Sequence, residues 1–304
     1  MKRLSSVLAL LLVAVVAHAQ LLWRISGKDL VEPSYVFGTY HLAPSSFADS
    51  VPGLDKAFKA SKQVYGEVPL PDPSDVASMQ KMQLAMLLPP DQSLDKLLSP
   101  KQYKKLSDYI KKEMGVDLSN PTIAGQFNKL SPAALETQLT MLTYIKMHGT
   151  INPNALLDGF FQKKAKAEGK PVGALETLDF QINVLYKSKP MPRQVTSLIC
   201  FIDNSTKMAE VAERLNKAYF SRDIEEVGRV SEEKLGNDCD ATPEEQDILI
   251  YNRNADWARK LPAIMVKGST LVAVGAAHLP GERGLLQLLR KEGYKVEAVD
   301  VPAK

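Results

Sequence analysis

Near its carboxyl end the chain carries "STLVAVGAAH" (residues 269–278), a continuous apolar run of the kind found in strands buried on both faces. "ERGLLQLLRKEG" follows, with Leu285, Leu286, Leu288 and Leu289 marking one helix face and Gly293 stopping it, and then "YKVEAV" supplies another strand. Strand, helix, strand in that order predicts a parallel pair joined by a right-handed crossover. This module constrains the fold more than any other segment, because it requires a sheet that is at least partly parallel and covered by helices.

The amino-terminal part adds more strands. "LLWRIS" and "SYVFGT" flank the polar turn "GKDLVEP" and read as a hairpin. "QVYGEV" reads as a strand that breaks at "PLPDP", since proline cannot donate to a ladder. From about 74 to 168 the pattern is helical, with Ser131-Pro132 and Asn152-Pro153 each setting a cap residue before a first-turn proline. "KPVGALET" returns to a strand, and 177–261 is again mostly helical, including the capping box Thr242-Pro243-Glu244-Glu245. The predicted fold is α/β: a mixed, partly parallel central sheet flanked by helices, with a large helical insertion at about 74–168. Residues 20–304 are expected to form one domain.

Lys2 and Arg3 precede an apolar run from Val7 to Ala17 that leads to Ala17-His18-Ala19. This predicts a signal peptide over 1–19, cleaved near Ala19, and a periplasmic or secreted protein. The run is shorter than the roughly 20 residues a spanning helix needs, and no later stretch is apolar enough to cross a bilayer. Without Lys2 and Arg3 the chain carries 36 basic and 35 acidic residues, a net charge of about +1, which gives no electrostatic footprint for nucleic acid. Cys200 and Cys239 are expected to form a disulfide in an oxidising compartment, worth about 2–4 kcal/mol. A metal-binding thiol is the weaker reading, because neither cysteine has a histidine or second cysteine nearby.

After the leader the histidines are His41, His148 and His278. His41 in "FGTYH" and His278 in "VGAAH" each follow a strand three residues after a glycine, Gly38 and Gly275. A glycine there lets the chain turn off the strand while its backbone stays close to whatever the histidine binds. Either histidine alone reads as an ordinary strand-end residue, whereas the pair reads as candidate metal ligands. Glu67 in "GEV" and Glu176 in "GALET" each close a short apolar run on the same expected rim, as a ligand, a general base or, for Glu176, a helix N-terminal acid. His148, beside Gly149 at a helix end, suits the helix dipole and receives no role. Met79, Met82 and Met86 form a helical stripe expected in the core. "QKKAKAEGK" and "YKKLSDYIKKE" are expected to be solvated helix faces.

"FGTYH", "GEV", "LLDGFFQKKAKAEGKPVGALETLDFQ", "YNRNADWARKL" and "VGAAHLPGERGLLQLLRKEGYKVEAV" together resemble the TraB/GumN family, which includes the TIKI proteases and pheromone-shutdown proteins and is related to erythromycin-esterase-like enzymes. The resemblance implies a divalent cation (Mn, Co, Zn or Fe) held by His41, Glu67 and His278, with Glu176 orienting or deprotonating a water. It also implies Gln181 as a further candidate and Arg253 facing developing negative charge or a substrate carboxylate. Thr39, Asp158, Asn254 and the two glycines would support these groups. Three activities follow from it: metal-dependent hydrolysis of peptide bonds, peptide sequestration without turnover, and metal-independent esterase-like hydrolysis. The partner is accordingly a peptide or small molecule.

Overall fold

The computed structural model describes residues 20–70, 75–152 and 155–299. The expected signal segment, most of the "PLPDP" break and Pro153 lie outside them.

Six strands, β1 (Leu22–Ser26), β2 (Ser34–Thr39), β3 (Gln63–Gly66), β4 (Val172–Ala174), β5 (Thr270–Gly275) and β6 (Lys295–Ala298), form one mixed sheet in the order β4-β3-β5-β2-β1-β6. β4, β3, β5 and β2 run parallel, whereas β1 is antiparallel to both of its neighbours. The α/β reading and the amino-terminal hairpin are therefore present as expected. The helical crossover from β5 to β6 also joins two strands that run in the same direction, but they are not neighbours. β6 pairs antiparallel with β1 at the sheet edge, with β2 and β1 between it and β5. Both edges of β5 are already filled, by β2 and β3, so the chain leaving the helix Leu285–Lys291 reaches the free edge of the hairpin instead.

β5 is central, and Leu271, Val272 and Val274 are fully buried in it, each contributing about 1.5–3 kcal/mol. Around the sheet, Phe58, Phe161, Trp257, Leu261, Leu285 and Leu289 come from the helices Leu54–Ala60, Phe160–Ala167, Asn252–Met265 and Leu285–Lys291 and join the same core. A second apolar cluster belongs to the helical part alone. In it Leu106 and Ile110 of the helix Pro100–Met114 and Leu135 and Leu139 of Pro132–His148 meet Leu198 and Phe201 of Met191–Asp203. Ser131 and Thr242 cap their helices as predicted, each by accepting a backbone N–H. Cys200 and Cys239 form the disulfide, tying Met191–Asp203 to the "GNDCD" loop.

The methionine stripe departs from expectation. The helix Val76–Ala85 has no buried residue, Met79 is 47% exposed, and Met82 and Met86 are only half-buried. Its apolar side chains are spread around the helix rather than confined to a face, so they do not define one side to bury. Among the described residues no helix is long and apolar enough to cross a membrane.

Candidate active site

Four adjacent parallel strands end on one rim. Glu176 follows the end of β4, Glu67 that of β3, His278 that of β5 and His41 that of β2, so each candidate leaves a carboxyl end within three residues. Ligand sites of open α/β sheets lie at such ends. The register sets Gly38 opposite Val274 and Thr39 opposite Gly275, which brings the two Gly-x-x-His turns side by side. Their glycines serve different needs. A Cβ on Gly38 would lie 3.0 Å from Leu279 Cδ1 and 3.1 Å from Ala276 Cα, so the first turn is bare where the second packs on it. A Cβ on Gly275 would crowd Glu67 Oε1 at 3.2 Å, the oxygen that accepts the Gly275 N–H at 2.7 Å.

His41 stands on the open side, with 71% of its side chain exposed. Its Nδ1 pairs with Asp158 Oδ2, and the buried hydroxyl of Thr39 donates to Asp158 Oδ1. The Asp158 charge and the hydrogen bond to it raise the His41 pKa to about 9. His41 is thus an imidazolium at neutral pH. Thr39, His41, Glu67, Asp158 and Gln181 line a cleft of about 210 Å³, together with the apolar segment Val68–Leu70.

His278 is 4% exposed and lies beneath that cleft. Its Nε2 accepts from Arg253 NH1 at 3.0 Å, and its Nδ1 is 2.7 Å from Asn254 Oδ1. A guanidinium only donates, so the ring is the neutral Nδ1–H tautomer, donating to Asn254. Burial, with Arg253 beside it, lowers its pKa to about 3. Trp257 stacks obliquely against the ring, centroids 4.4 Å apart, and donates its indole N–H to Glu176 Oε1 at 3.0 Å.

Arg253, 4% exposed, is the hub of the buried half. It donates to both oxygens of Glu176 at 2.7 and 3.0 Å, to Glu67 Oε2 at 2.6 Å, to His278 Nε2 and to the Leu249 carbonyl. Gln181 reaches Glu67 Oε2 at 3.4 Å. For Glu67, burial favours the acid, but His278, Arg253, His41 and the Gly275 N–H outweigh it and hold the pKa at about 2. Of those neighbours only Arg253 and His41 are charged at neutral pH.

The expected ligand set fits this arrangement only in part. His41, with Nδ1 on Asp158, keeps Nε2 toward the open side, but His278 Nε2 faces Arg253, whose guanidinium also donates to Glu67 Oε2 and so stands where a shared cation would have to sit. Among the described residues no three His, Cys, Asp or Glu side chains group as a metal shell. The role expected for Arg253 also changes: all five of its N–H donors are spent on protein acceptors, leaving none for a substrate carboxylate.

Three supporting residues escaped the sequence reading. Gln162, inside the stretch expected to be solvated, is 3% exposed and donates to the carbonyls of Val68 and Gly173, holding the Glu67 segment to β4. Gly66 makes room for it, since a Cβ there would lie 2.7 Å from its amide. Tyr219 donates to the Gly38 carbonyl at 3.0 Å, under the His41 turn. Trp257 is the third, and its signal was faint: an indole four residues after Arg253 shares its helix face.

Residues 21–298 match the TraB/PrgY/gumN family. The chain belongs to this family. It is 28% identical to the protein named Metalloprotease TIKI2 from Danio rerio over 316 residues, covering 91% of this chain and 60% of that protein. It is 26% identical to human Metalloprotease TIKI1, covering 91% of this chain and 61% of that one. Uncharacterized protein YbaP of Escherichia coli is 28% identical over 67% of this chain and 70% of its own length. The chain thus spans about three fifths of the metalloprotease relatives. No solved structure is significantly similar to it.

Proposed function

We propose that this chain is a hydrolase that cleaves peptide bonds in the cleft between His41 and Glu67. The observation that carries the proposal is a pair of ionisable groups driven apart at one cavity: Glu67 down to about 2 and His41 up to about 9. Such a split assigns base and acid. Glu67, a carboxylate at neutral pH, acts chiefly by orienting the attacking water and accepts its proton only as the water oxygen bonds the carbonyl carbon, since a carboxylate of low pKa is a weak base. His41, protonated and held by Asp158, gives its proton to the departing amine. The names of the TIKI relatives support peptide as the substrate class, and an extracytoplasmic location accords with the disulfide. The metal expected from the family resemblance enters no step here, because a cation at His278 Nε2 would have to displace the Arg253 guanidinium.

The test is peptide-library digestion by the purified chain, read by mass spectrometry, alongside His41→Gln and Glu67→Gln variants and a chelator-treated sample. Cleavage by the parent and chelated samples but neither variant supports the proposal. Specific binding without cleavage would replace it with sequestration, and cleavage abolished by chelation and restored by metal would overturn the acid–base assignment.

A further inference from the structure

The buried half of the site has a feature that the proposed chemistry does not use: its cation is already built in. Five guanidinium N–H donors of Arg253 meet five acceptors, from Glu176, Glu67, His278 and Leu249, all between 2.6 and 3.0 Å. The guanidinium also lies 4.9 Å from the Trp257 ring centroid, and that indole completes the hydrogen bonding of Glu176 Oε1. Such a fork matches carboxylates in two directions at once, which a spherical ion does not require and a lysine cannot reproduce. His278 belongs to the same receptor. Its Nε2 lone pair points at a permanently charged donor, and Asn254, fixed through its amide to the Arg283 carbonyl at 2.9 Å, selects the tautomer that keeps that lone pair available.

We infer that the resident cation of this centre is the Arg253 guanidinium, and that Glu67, Glu176 and His278 form its receptor rather than the shell of a divalent metal. His278 is then a positioning residue acting through Arg253. A metal at its Nε2 would require the guanidinium to leave both carboxylates, and two cations cannot share the space at low local dielectric. The inference holds whether or not the chain hydrolyses peptides.

The experiment needs no substrate. Chain with ¹⁵N-labelled histidine is titrated with Mn²⁺, Co²⁺ and Zn²⁺ in turn, following the ring nitrogens of His278, while melting temperature is measured with and without EDTA. The expected result is an unchanged Nδ1–H tautomer at His278 and the same melting temperature in chelator. Arg253→Met should melt at least ~6 °C lower in metal-free buffer, with Arg253→Lys between the two. One equivalent of metal that shifts the His278 Nε2 signal, and fails to do so in Glu67→Gln, would overturn the inference, as would an Arg253→Met protein melting with the parent. Metal binding that leaves His278 unchanged supports it, by placing the ion elsewhere. Should Arg253→Met not fold, the His278 spectrum of the parent chain decides alone.

Discussion

His41 and His278 occupy equivalent places in sequence and space, three residues past a glycine at the ends of paired parallel strands, yet their environments are opposite. The first is open to the cleft, faces a carboxylate and holds a proton to about pH 9; the second is enclosed, faces a guanidinium and stays neutral down to about pH 3. The strand-end turn therefore fixes where an imidazole stands but not what it does. That is settled by the helical segments delivered to each turn: Asp158 to one, Arg253, Asn254 and Trp257 to the other.

The largest effect expected from this contrast is on catalysis. His41→Gln should lower peptide cleavage by ~10²–10⁴-fold, the usual contribution of a positioned acid or base, with only a small drop in melting temperature because the exposed pairing with Asp158 is screened by solvent. His278→Leu should do the reverse to stability. It strands an Arg253 N–H and the Asn254 carbonyl in the interior, costing about 2–3 kcal/mol in a denaturant titration. If the two variants gave the same profile, the division of roles would fail.

A smaller effect sharpens the same contrast through pH. Cleavage that needs the His41 imidazolium should fall as pH rises through about 9, and Asp158→Asn should bring that fall down toward the ordinary histidine range near 6.5. The linked stability terms have opposite signs. His41, raised in the folded state, stabilises fully below about 6.5, and that contribution is lost as pH rises through about 9. His278, lowered in the folded state, contributes above about 6.5 and loses it as pH falls toward about 3. Ring chemical shifts followed across pH would show the two titrations directly. A His278 that titrates near neutrality would contradict its burial against Arg253.

What could be read in advance was local. The hairpin, the buried β5 and the capped helices each follow from a few neighbouring residues, and the disulfide, though its ends are 39 residues apart, follows from the chain having two cysteines. Where two distant segments compete for one place, the sequence is silent. β6 looked like a neighbour of β5 because nothing in "YKVEAV" records that both edges of β5 are taken. Gln162 looked solvated because its neighbours Lys163, Lys164 and Lys166 are charged, and only the bare backbone of Gly66, on another strand, explains why one amide in that run turns inward. Arg253 was visible as a candidate, but its saturation was not, since its five acceptors come from four separate segments.

The smallest predicted effect concerns what lies beneath each turn. Both histidine turns rest on a buried aromatic residue with a polar tip: Tyr219 under the first, Trp257 under the second. Tyr219 binds backbone, donating to the Gly38 carbonyl at 3.0 Å, whereas Trp257 binds the buried carboxylate of Glu176. Removing the hydroxyl in Tyr219→Phe leaves one carbonyl short of a donor while the ring keeps its packing against Tyr40 and Phe47, so the loss should be about 0.5–1.5 kcal/mol. Because Asp158 and Thr39 hold His41 independently of that hydroxyl, the alkaline limb of the pH profile should not move. A shifted limb in Tyr219→Phe would mean that the Gly38 turn itself positions the imidazole, and the two histidine sites would then be coupled through the backbone they share at Gly38 and Ala276.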